Sequence, residues 1–141
     1  ERADRLARST RLDGDTRARI ISGLFMLLEN DSANEVRWAA AEAMYKVSGS
    51  AGLRPVRSAV RRWINEEPDS AGLHQAWFVH WAAAAGLPDV LVDAYRWTGP
   101  DARRSIVEYL RSLPAGERKS LLGSAFQSSD QKLRELAQAV I

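Results

Sequence analysis

The sequence predicts an all-α fold, a right-handed α-solenoid of about four antiparallel helix pairs. Three observations predict it. No window sustains the apolar–polar alternation of a half-buried strand, while apolar residues recur at helical spacing along the chain. Clusters of Gly, Pro, Asp and Ser cut the chain into segments of helix length. The second segment of each pair also repeats one register of residues.

A leading helix is expected over residues 1–12, ended by the break LDGD, which offers Asp15 as an N-cap. The next helix, TRARIISGLFMLLEN, sets Ile20, Leu24, Leu27 and Leu28 on one face. Asp31 or Ser32 then starts DSANEVRWAAAEAMYKV, which VSGS stops at Gly49. A helix from about Gly52 to Glu66 carries Leu53, Val56, Val60, Trp63 and Ile64 on one stripe, with Pro55 tolerated in its first turn. After EEPDS, Asp69 or Ser70 caps the helix that holds AWFVHWAAAA, and Gly86 with Pro88 ends it and opens PDVLVDAYRW. Pro100 and Asp101 open DARRSIVEYLRSL, Pro114 opens AGERKSLLGSAF, and SSD caps QKLRELAQAVI. The expected pairs are therefore roughly 14–49, 52–86, 88–113 and 115–141, in a single repeat domain.

Aligning the second helices places EVRWAAAEAM beside DARRSIVEYL and KLRELAQAVI. Val36, Ala102 and Leu133 coincide, each followed by an arginine: Arg37, Arg103 and Arg134. Ala40, Ile106 and Ala137 come next on the same face, then Met44, Leu110 and Ile141. The tryptophan-rich helix joins through Leu73, His74, Trp77 and Trp81, and the starting positions are spaced by 37, 29 and 31 residues. Asp31, Val36, Arg37, Ala40, Ala41, Ala43 and Met44 resemble the HEAT and HEAT-like repeats, and the resemblance covers most of the chain. It implies alanines that let paired helices approach, and an aspartate–arginine ladder between neighbouring repeats, here Asp31 and Arg37. In the second pair His74 replaces the arginine, and Trp77 and Trp81 replace small residues, which predicts a bulkier seam there.

Composition narrows the function. Apolar residues are 45% of the chain and charged residues 27%, enough for a packed core under an ordinary charged surface. Cysteine is absent, which excludes disulfides, thiolate metal sites and a cysteine nucleophile. The formal charge is only +2, so neither an acidic nor a basic field dominates. The first twenty residues have no apolar core of a secretory signal, and the most apolar run, Ala76 to Pro88, is too short to span a bilayer. The chain begins at Glu1 and stops at Ile141 within an apolar helical pattern, so we expect a piece of a longer polypeptide, in the cytoplasm.

Most chemistries find no support. His74 and His80 are separated by about 600° of helix rotation, and the i, i+4 spacing of a helical zinc pair is missing. GERKSLLGS lacks the second glycine directly before the lysine and any preceding strand, both needed for a phosphate loop. Glu66 and Glu67 sit at a helix end, where solvation is their natural state, and no nucleophile elbow surrounds any serine. We therefore expect no catalytic residue, metal, cofactor or small-molecule substrate, and no membrane association.

Two surfaces remain. With Val36, Ala40, Ala43 and Met44 turned inward, the concave face of the second helices would present Trp38, Glu42 and Tyr45. Equivalent positions are Gln75, Phe78 and Val79, then Arg104, Glu108 and Arg111, then Glu135 and Ala139. Such an aromatic and charged mixture suits a protein partner or a neighbouring domain of the same polypeptide, with Trp38 foremost. The other surface is the stripe Arg54, Arg57 and Arg61, with Arg62 alongside, which could meet phosphates or an acidic partner. The sequence thus favours a non-catalytic protein–protein interaction scaffold, with nucleic-acid backbone binding through the arginine stripe as the alternative. Two lower-ranked readings are a passive spacer between domains and a HEAT-like DNA repair glycosylase using Asp93 and Trp97.

Overall fold

A computed structural model describes residues 14–141, and the expected leading helix lies outside them. The described chain is all-helical, without a strand. Its helices are α1 (Gly14–Asn30), α2 (Asn34–Ser48), α3 (Leu53–Glu66), α4 (Ala71–Ala84), α5 (Pro88–Ala94), α6 (Pro100–Arg111), α7 (Ala115–Leu122) and α8 (Gln131–Val140). Short 3-10 turns at Gly49–Gly52, Pro68–Ser70 and Gly123–Gln127 join some of them. No helix among the described residues is long and apolar enough to cross a membrane. The chain forms two compact units, one ending at Trp63 and the other running from Ile64 to Ile141. The boundary falls inside α3, within the second expected pair.

In the first unit α1 packs along α2. The start of α2 is later than expected because the Asp31 carboxylate accepts a hydrogen bond from Ala33 N (2.9 Å), folding an Asx turn before the helix. Gly49 ends α2 with φ +60°, a conformation that glycine adopts without a Cβ clash. Three residues on, Gly52 lies against the last turn of α2. A Cβ there would sit 2.8 Å from the Met44 carbonyl oxygen. The core buries Leu28, Ala40, Ala41, Met44, Val47, Val56, Val60 and Trp63. Val36 does not point inward as expected: it is exposed, and Arg37 takes the buried position. Leu27 is exposed too, together with Phe25 and Met26.

In the second unit α4 packs against α5 and α6, and α6 against α8. Phe78, Ala82, Leu91, Ala94, Ile106, Leu110, Leu122, Leu136 and Ala137 are wholly buried and form its centre. Trp81 stacks on Trp77 (5.7 Å between centroids) and meets Phe78, which also contacts Trp97 (5.3 Å). These rings fill the seam that smaller residues occupy elsewhere, as the sequence predicts. PDVLVDAYRW is helical only to Ala94, because the Thr98 hydroxyl and backbone N–H both bond the Ala94 carbonyl and tighten the end into turns. Ile141, aligned with core residues in the sequence, is exposed, and Val140 is buried in its place.

The contact at Gly52 generates a stability prediction. Gly52→Ala forces a Cβ into main-chain atoms and lowers unfolding free energy by about 1–3 kcal/mol. Gly23→Ala is the control: nothing lies within 4 Å of its added Cβ, and the mid-helix change raises stability by about 0.5–1 kcal/mol. Urea unfolding of both variants followed by circular dichroism measures the contrast.

Candidate functional site

The polar side chain at the aligned register position of α2, α4, α6 and α8 makes specific contacts in each helix. Arg37 bonds the Asn34 carboxamide and lies over the Trp63 ring, 4.8 Å from its centroid. His74, fully buried, meets Glu67 Oε1 at 3.0 Å through Nε2. A carboxylate only accepts, so that bond places the proton on Nε2. Arg103 donates to the Tyr95 carbonyl (2.8 Å) and covers its ring, and Arg134 donates to the Ser128 carbonyl (2.6 Å). The last three reach back six to eight residues and close the turn before their own helix. His74, Arg103 and Arg134 thus clamp local turns, while Arg37 bonds within α2 and reaches α3 through the Trp63 ring. Elsewhere in the second unit Gln75 Oε1 accepts from Gly99 N (2.8 Å), and Arg96 Nε donates to Asp130 Oδ2 (2.7 Å).

With His74 turned inward, the opposite side of α4 faces a groove of about 800 Å³ whose other wall is α6. Gly72, Leu73, Ala76, His80 and Ala83 come from α4, and Pro100, Asp101, Ala102, Ser105 and Tyr109 from α6. Gln75 and Gly99 close one end beside Asp69, and Val79 lies at the base. The walls are mostly small residues, so the groove is bounded closely by backbone. Leu73 is 59% exposed there, the largest exposed aliphatic side chain of the second unit before the C-terminal residue. The helix starts of α4 and α6 sit at the same end, with Asp69 and Asp101, while Ala83 and Tyr109 mark the other end. The two walls therefore run parallel. Among the described residues, two carboxylates and one histidine line the groove, and neither lysine nor arginine does.

Of the expected concave-face residues, Gln75 and Val79 line this groove, and the Gln75 carboxamide oxygen accepts from Gly99 N. Phe78 and Val79, expected outward, are buried. Trp38, Glu42 and Tyr45 are half-buried on α2. Arg104, Glu108 and Arg111 are exposed on α6, where Arg104 lies 3.6 Å from Asp101. In the arginine stripe Arg54 and Arg61 are exposed, and Arg57 and Arg62 are half-buried. Arg62 bridges to Glu29 on α1 at 3.0 Å. Leu73, Ala76, His80, Ser105 and Tyr109 were absent from the expected face. The signal for them was the apolar character of α4 around its whole circumference, which leaves apolar residues over after its core face is filled.

The remaining sequence candidates have structural roles. Asp93 Oδ2 accepts from Trp97 Nε1 (3.4 Å), and its other oxygen lies 3.8 Å from Arg96. His74 is buried while His80 is exposed, and no cluster of metal-ligating residues occurs among the described residues. GERKSLLGS forms α7 and its following turn, with Arg118 donating to the Arg111 carbonyl (3.3 Å) at the end of α6. Asp130 caps α8 as expected, accepting from Lys132 N (2.9 Å) and Leu133 N (3.4 Å). The Arg96 hydrogen bond, helped by these backbone donors and by the arginine's charge, holds its carboxyl below the ordinary value of 3.8.

Comparison with known proteins finds no matching family model, no matching curated protein and no matching solved structure.

Two predictions follow from this geometry. His74→Ala leaves a cavity and removes the donor that closes the Glu67 turn; it lowers unfolding free energy by about 2–4 kcal/mol, read by chemical denaturation. Asp130→Asn keeps an amide oxygen for the cap but removes the ion pair with Arg96. Because the folded carboxyl is depressed, its contribution is fully present above the ordinary value of 3.8 and disappears as pH falls through the lower folded value. Melting curves from neutral to strongly acidic pH therefore show wild type above Asp130→Asn at neutrality, with the gap closing at the acid end.

Proposed function

We propose that this chain is a HEAT-like helical-repeat segment that acts as a non-catalytic protein–protein interaction scaffold. The observation that carries the reading is α4, which is apolar on all sides and leaves Leu73 and Ala76 exposed in the groove against α6. An apolar groove rimmed by polar groups is the surface a protein partner desolvates. The packing of α4 on α6 and of α6 on α8 supports the repeat part of the proposal, since second helices of consecutive pairs are neighbours in a solenoid.

The local commitments of Asp93 and His74 support the non-catalytic part. Neither group lines the groove, whose polar residues are Asp69, Gln75, His80, Asp101, Ser105 and Tyr109. The nucleic-acid alternative draws on Arg54 and Arg61, which are exposed, but its stripe is narrowed by the Arg62–Glu29 bridge. A backbone binder would also lose affinity steeply with salt.

Selecting binders from a library of displayed peptides, alongside titration with duplex DNA at low and physiological salt, tests the reading. The expected outcome is micromolar peptide binders that lose affinity with Leu73→Glu and keep it with the double reversal Arg57→Glu/Arg61→Glu. Salt-steep DNA binding abolished by that double reversal would replace the scaffold with a nucleic-acid binder. No binder in either arm would leave a spacer.

A further inference from the structure

We infer that the α4–α6 groove receives an amphipathic helix from a partner protein, running antiparallel to α4 and α6, with basic side chains in its last turn. The inference rests on the scaffold reading and names its partner class.

The occupant is a helix for a reason of hydrogen bonding. Both walls are helical, so their backbone groups are already paired within α4 and α6. An extended peptide entering between them would find no sheet edge and would bury its own amides without partners. A helix brings its backbone hydrogen bonds with it.

The dimensions agree. From Gly72 to Ala83 the α4 wall extends about 16 Å, or three helical turns. Gly72, Ala76 and Ala83 on one wall and Ala102 and Ser105 on the other keep the lining low. Large side chains must therefore come from the partner, at i, i+4 and i+7 of a single stripe. Leu73 and Tyr109, the bulky groups at opposite ends, would pack at the ends of that stripe.

Charge fixes the direction. Asp69 and Asp101 stand at the end where α4 and α6 begin, and among the described residues no lysine or arginine lines the groove. Arg104 is 3.6 Å from Asp101, but both side chains are largely in solvent and the pair is weak. A partner helix whose C-terminus lies at this end sets its negative dipole end against the positive starts of α4 and α6. Lysine or arginine in its last turn then meets Asp69 and Asp101, a position its own dipole also favours.

The test uses the full chain and a library of helix-biased 16-residue peptides, selected in low salt and sequenced, with affinities read by fluorescence anisotropy. The expected result is enrichment of aliphatic residues at i, i+4 and i+7 with Lys or Arg in the last turn. Ala76→Trp fills the groove and weakens these peptides more than about tenfold, and Asp69→Asn/Asp101→Asn weakens them by about threefold to tenfold, less so in high salt. Circular dichroism and urea midpoints equal to wild type establish that each variant is folded. Should Ala76→Trp prove less stable, Ser105→Arg on the opposite wall serves as the second block. Peptides that bind but ignore both groove blocks overturn the groove while leaving the scaffold reading intact. Groove-blocked peptides without basic bias, or with it at the opposite end, overturn the orientation and charge assignment. Absence of any binder overturns the scaffold reading and this inference together.

Discussion

The hydrogen bond between His74 and Glu67 sets the rotation of α4, and the candidate site follows from that rotation. An imidazole that is fully buried must present its N–H to an acceptor, and the residue just before the Pro68 turn supplies one. With 100° per residue, fixing His74 inward carries Phe78, Trp81 and Ala82 into the core. Leu73, Ala76, His80 and Ala83 then fall within about 80° of one another on the far side. A rotation by a single residue would bury Leu73 and close the groove with Gln75. The polar residue inside the helix therefore determines which apolar residues remain outside.

Burial and polar contacts contribute differently to the second unit. Truncating a buried aliphatic such as Ile106 or Leu136 costs about 2–5 kcal/mol, whereas an exposed ion pair contributes about 0–1 kcal/mol. The α4, α6 and α8 layer is accordingly held by its apolar centre. Arg96–Asp130 and Gln75–Gly99 are directional contacts, and they fix which turn of one pair meets which turn of the next. Gln75 is notable in this respect. Its bond to the Gly99 amide stations the start of α6 beside the start of α4, and with it the two carboxylates at one end of the groove.

Helix existence was legible in the sequence almost throughout, because Gly49, Pro100 and Asp130 act through local backbone chemistry. Gly49 takes positive φ, Pro100 needs no amide hydrogen at a helix start, and Asp130 accepts amides that lack carbonyl partners. The phase of the second helices was legible in part. Ala102, Ile106 and Leu110 are buried as the alignment implies. In α2 and α4 the first apolar residue of the register turned out to be exposed, and the polar residue after it buried. Arginine and histidine look like surface residues in a pattern of apolar positions, yet Arg37 bonds Asn34 and lies over a tryptophan face, and His74 bonds Glu67. Glu67 lies in a turn and Trp63 on another helix, and periodicity within one helix encodes neither neighbour. Reading Leu73 as inward and Phe78 as outward then left Leu73 and Ala76 out of the expected face.

The groove's polarity has the same origin as its walls. α4 and α6 start at the same end of the groove, so their positive termini lie together. Acidic residues near helix starts are favoured at such termini, which accounts for Asp69 and Asp101 as local stabilisers of α4 and α6. That local role and a role in recognition are compatible, since a carboxylate near a helix start keeps its outward oxygens in solvent, and Asp101 is 97% exposed. Parallel stacking thus gives a groove with one acidic end and one end marked by Tyr109, whatever the sequence between them. A surface with that built-in direction distinguishes the two orientations of a docked helix by charge, while the small residues along its length leave side-chain identity to be read at the few positions where depth is available.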